Sequence, residues 1–302
     1  MASISDLAAL AQDIYDTSAG STSGVSRGWA RRDPMNWQDG FAAGTYSRVG
    51  ETVVAFRGTE DQQDMVDDLL MMPVAQSGAA RRTIEDLLRL YGVSLGPALD
   101  FAAPRLVEAV LRNGMVQASV SRSLNRVPTQ QVRQALRYFD ACQPRPRAVC
   151  GHSLGGALAQ VVSQQRGVIG VSFNGPFMGD IAGAVPSSSG QLIYVNAIGD
   201  PLSFSTSSMG HVPHGQVHTV RLPAFPRRPA ASAQPRWLAA LSPALAMGLE
   251  VADTVRAYAD ILRYLGDTML YHHSIDTLAP AVNRDPRFAS PLAGTVAGTS
   301  TM

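Results

Sequence analysis

The sequence predicts an α/β protein with a central, mostly parallel sheet flanked by helices on both faces. Three observations carry this. Short apolar strands alternate with helical patterns through the middle of the chain. The stretch "RAVCGHSLGGALAQVV", residues 147–162, runs from an apolar strand through a glycine-bounded turn into a small-residue helix. Hydrophobic residues make up 45% of the 302 and charged residues 16%, enough apolar material for a large core.

The elements follow in order. Ala8, Leu10, Ala11 and Ile14 fall at helical spacing, so the N-terminus reads as an amphipathic helix. Residues 20–40 are rich in Ser, Gly, Arg and Asp and read as loop. "GTYSRV" and "ETVVAFRG" flank Gly50 as a hairpin, the second strand continuously apolar and buried. "TIEDLLRLYG" is a short helix closed by Gly92, and 93–127 holds helical fragments broken by Gly and Pro. "VPTQQVRQALRYFDAC" places Val132, Leu136 and Phe139 on one helical face. After the helix that follows the glycine turn, "GVIGVSF", "QLIYVNA" and "QVHTVRL" are further strands. Residues 223–236 resemble a Pro/Ala linker, 237–265 are helical, and "MLYHHSIDTLAPAV" returns to structure. One domain over 1–290 is expected, followed by a flexible tail at 291–302.

Composition excludes several classes. With 25 basic residues against 24 acidic, no field draws nucleic acid. Every basic residue is Arg, which removes lysine-based catalysis. Cys142 and Cys150 cannot build a disulfide framework, and Cys150 reads as a buried packing thiol. The N-terminus lacks the basic and apolar regions of a Sec signal peptide. The stretch from Trp237 to Val251 is broken by Pro243 and Glu250 and is shorter than the ~20 residues of a membrane span. A soluble protein, cytoplasmic as synthesised, is expected, with non-classical secretion the route if it leaves the cell.

"GHSLG" fits G-x-S-x-G, with a strand before it and a helix after. That context projects the Ser153 hydroxyl at the sheet edge, near the positive end of the next helix. A serine needs a base, and the base a carboxylate to orient it. His152 points away from Ser153 in a sharp turn, which suits packing or hydrogen bonding. The order Ser, Asp, His places the base at His272 or His273. Asp200 stands just past a strand, before Pro201, and is the first candidate acid. Asp180 ranks second, ahead of Asp253, Asp267 and Asp276; a turn carboxylate before proline is the plainer reading of Asp200.

"VVAFRGT", "VCGHSLGGALA", "FNGPFMGD" and "VNAIGDPLS" occur in an order that resembles class 3 lipases of bacterial type. This is the α/β-hydrolase branch that includes fungal triacylglycerol lipases. The likeness covers about residues 40–205 and the late histidine segment. It implies Ser153 as nucleophile and Asp200 as acid, and the H-S-[IM] context of bacterial relatives selects His273 as base. It also implies Thr59 and Leu154 as oxyanion residues. "RGTEDQQDMVDDLLMMPV" is similar to the family's lid segment, with Met65 where an aromatic is usual. Met65 and Leu69 are expected to meet the acyl group, although Leu69, Leu70, Met71 and Met72 fit a core equally.

The departures are as specific as the likeness. The family's H-x-G-F strand has no counterpart, and residues 85–127 and 223–265 look like helical insertions. Leu238, Leu241, Leu245 and Leu249 form a stripe that caps a pocket or packs in a core. The resemblance implies a serine lipase or esterase acting on acylglycerols or related lipid esters, with no metal or organic cofactor. The expected partners are a lipid or small ester substrate and, transiently, a lipid surface. A phospholipase-type secreted effector and an inactive hydrolase-fold binding protein are the alternatives.

Overall fold

The structure, a computed structural model, describes residues 1–16, 28–32, 36–38, 41–58, 129–177, 191–208, 212–223, 267–268 and 270–292. The chain divides into two compact units. One comprises Met1–Asp61, Asn125–Leu222 and His273–Met302; the other comprises Gln62–Leu124 and Pro223–His272. In the second, the Tyr271 hydroxyl donates to the Pro223 carbonyl at 3.2 Å. Apart from Pro223, the two expected insertions and the leucine stripe lie outside the described residues.

The first unit is built on an eight-stranded sheet. Its strands are β1 (Ala30–Arg31), β2 (Asn36–Gln38), β3 (Phe41–Arg48), β4 (Glu51–Phe56), β5 (Ala148–His152), β6 (Ile169–Phe173), β7 (Leu192–Ala197) and β8 (Gln216–Val220). The order is β1-β3-β4-β5-β6-β7-β8, with β2 also paired to β3. Strands β4 to β8 run parallel, and β1 to β3 are joined to them antiparallel. Arg48 and Glu51 are paired across a two-residue turn, where Gly50 takes a φ of 72°. The expected hairpin is therefore present.

Strands β1 and β2 lie in the stretch that reads as loop from sequence. Two or three residues are too few to show an alternation, and what makes them strands is pairing to β3. Helix α1 (Ile4–Asp13) forms as expected, but residues 4–11 are all buried, the polar Ser5 and Asp6 included, and a capping box opens it. The Asp6 N–H donates to Ser3 Oγ and the Ser3 N–H to Asp6 Oδ2, both at 3.0 Å.

Helices cover both faces, as the strand order requires. On one side α2 (Thr129–Ala141) and α3 (Leu154–Arg166) enclose Phe41, Val54, Phe56, Phe139, Val149 and Leu158. Val132 and Leu136 pack against this cluster beside Phe139, along the predicted face of α2. On the other side α1 packs on β4, β5 and β6 and on α5 (Ile275–Arg284). Alternation along β5 sends Val149 toward α2 and α3, and Cys150 and His152 toward α1.

Helix α4 (Pro201–Ser208) has no apolar periodicity, and sequence patterning passes over it. Its first residue is proline, whose fixed φ suits that position. At the end of the unit, Pro291 bridges Ser3 and the Leu292 N–H donates to the Ala2 carbonyl at 3.0 Å. These two residues of the expected tail are thus held; the rest lies outside the described residues. No helix among the described residues is long and apolar enough to cross a membrane.

Candidate active site

The site begins where β5 meets α3. Ser153 links them with φ 58° and ψ −127°, a conformation that costs a non-glycine residue about 1–3 kcal/mol. Its N–H donates to the Phe173 carbonyl at 3.0 Å, which fixes the turn on the neighbouring strand. The flanking glycines are demanded by packing. A Cβ on Gly151 would collide with the Gly155 carbonyl, and one on Gly155 with the Phe56 carbonyl. A Cβ on Gly156 would lie 2.6 Å from Ser172 Oγ. Small residues let α3 start directly against the ends of β4 and β5, so G-x-S-x-G is here a statement about close backbone approach.

Leu154 is the first residue of α3, so its N–H has no acceptor four residues back within the helix. It thereby qualifies, by position, as an oxyanion donor at a helix N-terminus. Thr59, Met65 and Leu69 lie outside the described residues. Gly58, next to Thr59, is described: a Cβ there would sit 2.6 Å from the Tyr15 hydroxyl and 3.0 Å from Ser153 Cβ. The exit of β4 therefore passes close beside the serine.

Asp200 and His273 meet. His273 Nδ1 is 2.6 Å from Asp200 Oδ1, with both side chains fully buried. The carboxylate's other oxygen, Oδ2, accepts the Ser203 N–H at 2.7 Å and so caps the first turn of α4. The plainer sequence reading of Asp200, a turn carboxylate before proline, is thus present in the same side chain that orients His273. Each oxygen has one task. His273 Nε2 is buried with no hydrogen-bond partner among the described residues.

The neighbouring Ser274 sets the place of His273. Ser274 caps α5, its Oγ accepting the Asp276 N–H at 3.2 Å, so His273 stands just before a helix start. His272 instead lies edge-on to Tyr271, 5.5 Å between ring centroids. Of the rival acids, Asp180 and Asp253 lie outside the described residues, and Asp276 accepts from Gln12 Nε2 at 3.0 Å.

His152 has the hydrogen-bonding role expected of it beside Ser153. It is buried, with Nε2 2.6 Å from the His273 carbonyl and Nδ1 2.9 Å from the Tyr15 hydroxyl. Burial, then the nearby His273, holds its pKa well below the ordinary histidine range, so the ring is neutral. Asn174, at the exit of β6 with φ 46°, donates from Nδ2 to the same His273 carbonyl at 2.9 Å. Its Oδ1 accepts the Ala197 N–H at 2.8 Å, tying in the end of β7 just before Asp200. One carbonyl thus gathers the segments of Ser153, Asp200 and His273.

A second network supports the β6 exit. Gln160 Nε2 donates to Ser172 Oγ at 3.0 Å and to the Pro176 carbonyl at 2.7 Å. Gln160 Oε1 accepts the Tyr194 hydroxyl at 3.2 Å, and burial pushes that phenol's pKa up to about 12, so it stays a donor. Tyr15, Asn174 and Gln160 are absent from the sequence reading. Their partners are far away in the chain, and only an asparagine or glutamine beside apolar residues gave a local sign.

Among known proteins, the model of the family described as lipase (class 3) matches residues 53–166, from β4 to the end of α3. No curated protein matches the chain. The matched segment holds Ser153 and its glycines; Asp200 and His273 come from beyond it. Residues 53–166 of this α/β-hydrolase fold are thus similar to the class 3 lipases.

Proposed function

We propose that the protein is a serine-dependent carboxylic ester hydrolase acting on acylglycerols or related lipid esters. The observation that carries this is the buried Asp200–His273 pair, 2.6 Å apart, assembled in the same unit as the strained Ser153 turn. A hydrolase of lipase type is already the reading of the family match.

In this mechanism Ser153 Oγ attacks the ester carbonyl while His273 Nε2 takes its proton. Asp200 accepts the Nδ1–H, fixes the tautomer that leaves Nε2 open, and stabilises the imidazolium. Developing charge on the carbonyl oxygen is met by the N–H groups of Leu154 and Thr59. The alcohol departs with the proton from His273, leaving an acyl-serine. A water then gives its proton to His273 and its oxygen to the acyl carbon, which frees the acid and restores Ser153.

The test is an activity panel of p-nitrophenyl esters, emulsified triglyceride and phospholipid vesicles, run with wild type and Ser153→Ala. Ester hydrolysis lost by at least about 10³-fold in Ser153→Ala supports the reading. A rate that rises above the substrate's aggregation limit assigns lipid esters; smooth saturation on short esters replaces them with soluble ones. Hydrolysis unchanged by the substitution refutes the reading.

A further inference from the structure

Tyr15 stands just past the C-terminal end of α1, far in sequence from every residue of the proposed mechanism. Its hydroxyl nonetheless touches two of the segments that build the site. It accepts the Gly58 N–H at 3.0 Å and lies 2.9 Å from His152 Nδ1. The proton positions along this path follow from chemistry. The His273 carbonyl can only accept, so His152 Nε2, 2.6 Å away, carries the hydrogen. A neutral imidazole then has an acceptor at Nδ1, and Tyr15 must donate to it.

The result is a directed chain. The Gly58 N–H donates to the Tyr15 hydroxyl, which donates to His152 Nδ1; His152 Nε2–H donates to the His273 carbonyl. Every member has one role, and reversing any one would leave two donors or two acceptors facing each other. Burial raises the Tyr15 pKa, which keeps its proton in place, and lowers that of His152, which keeps the imidazole neutral.

Resting on the ester-hydrolase reading above, we propose that Tyr15 and His152 are positioning residues that lock the β4 exit to the main chain of His273. At one end the chain fixes Gly58, the neighbour of the expected oxyanion residue Thr59. At the other it fixes the carbonyl of the base. Neither side chain touches the ester; both set the distance between the groups that do. Because rate depends steeply on such placement, loosening the lock lowers turnover more than substrate binding.

The experiment is Tyr15→Phe, which keeps the ring and deletes the hydroxyl. The expected result is a fall in kcat of roughly 10- to 100-fold with KM changed less than about threefold. Fluorophosphonate labelling of the variant slows in parallel. Long-range proton–nitrogen NMR of the histidines in wild type at neutral pH gives a readout that needs no variant. His152 is expected as the Nε2–H tautomer, and its Nδ1 resonance shifts in Tyr15→Phe.

Wild-type kcat in a folded Tyr15→Phe, or a His152 protonated on Nδ1 in wild type, overturns the proposal. If Tyr15→Phe does not fold, the wild-type tautomer decides. Failure of the underlying reading looks different: wild type would then resist fluorophosphonate, or Ser153→Ala would label as well as wild type.

Discussion

Asp200 Oδ1 and His273 Nδ1 lie 2.6 Å apart, buried, while the other carboxylate oxygen holds the Ser203 N–H of α4. A single side chain therefore orients His273 and starts the helix. The two roles can be separated by substitution.

Asp200→Asn keeps an oxygen for the cap. If that oxygen stays on the Ser203 N–H, the amide NH₂ faces His273 Nδ1 and forces the proton onto Nε2. The base then holds the wrong tautomer. Turnover is expected to fall by about 10³- to 10⁴-fold with little change in stability. Asp200→Ala should lose as much activity and, in addition, about 1 kcal/mol from the lost cap. Steady-state kinetics beside urea unfolding separate the two.

Gly155→Ala tests the close approach of α3 to β4. The new Cβ meets the Phe56 carbonyl, which is backbone in a sheet and cannot swing away. A loss of about 1–3 kcal/mol in unfolding free energy is expected, with activity falling as the turn shifts. An unchanged urea midpoint would contradict the packing described for this turn.

Much of this turn was legible locally, because a strand, two glycines around a serine and a helix start are neighbours in sequence. The network behind it was not. His152 reaches a carbonyl 121 residues away, Asn174 reaches the same atom across 99, and Tyr15 reaches His152 across 137. No periodicity records such pairings. Strands β1 and β2 carry no pattern of their own because β3 makes them strands, and α4 carries none because a carboxylate cap and Pro201 start it rather than an apolar stripe. For Asp200 the sequence offers an acid or a turn carboxylate as alternatives; that one side chain meets both His273 and the Ser203 N–H needed the structure.

Burial of His152 should give stability a pH dependence, with a sign set by its lowered pKa. Its folded-state pKa lies below the ordinary value of 6.5, so the unfolded chain binds the proton more readily. The contribution of the neutral ring is fully present above that value and is lost as pH falls below it. The slope from this residue is at most about 1.4 kcal/mol per pH unit. Urea midpoints measured from pH 7.5 down to about 5 should decline, and His152→Gln should flatten the decline.

Cys150 should be inert in the folded protein. Burial on β5 pushes its thiol pKa up, so little thiolate forms, and the side chain is shielded from reagents. Iodoacetamide followed by peptide mapping should modify Cys150 only after unfolding. Modification at the rate of an exposed thiol under native conditions would contradict its placement.

The most direct measurement is fluorophosphonate labelling followed by peptide mapping. One adduct is expected, on Ser153, with labelling abolished in Ser153→Ala and slowed at least about 10²-fold in His273→Ala. An adduct on another serine, or labelling that survives Ser153→Ala, would contradict Ser153 as the nucleophile.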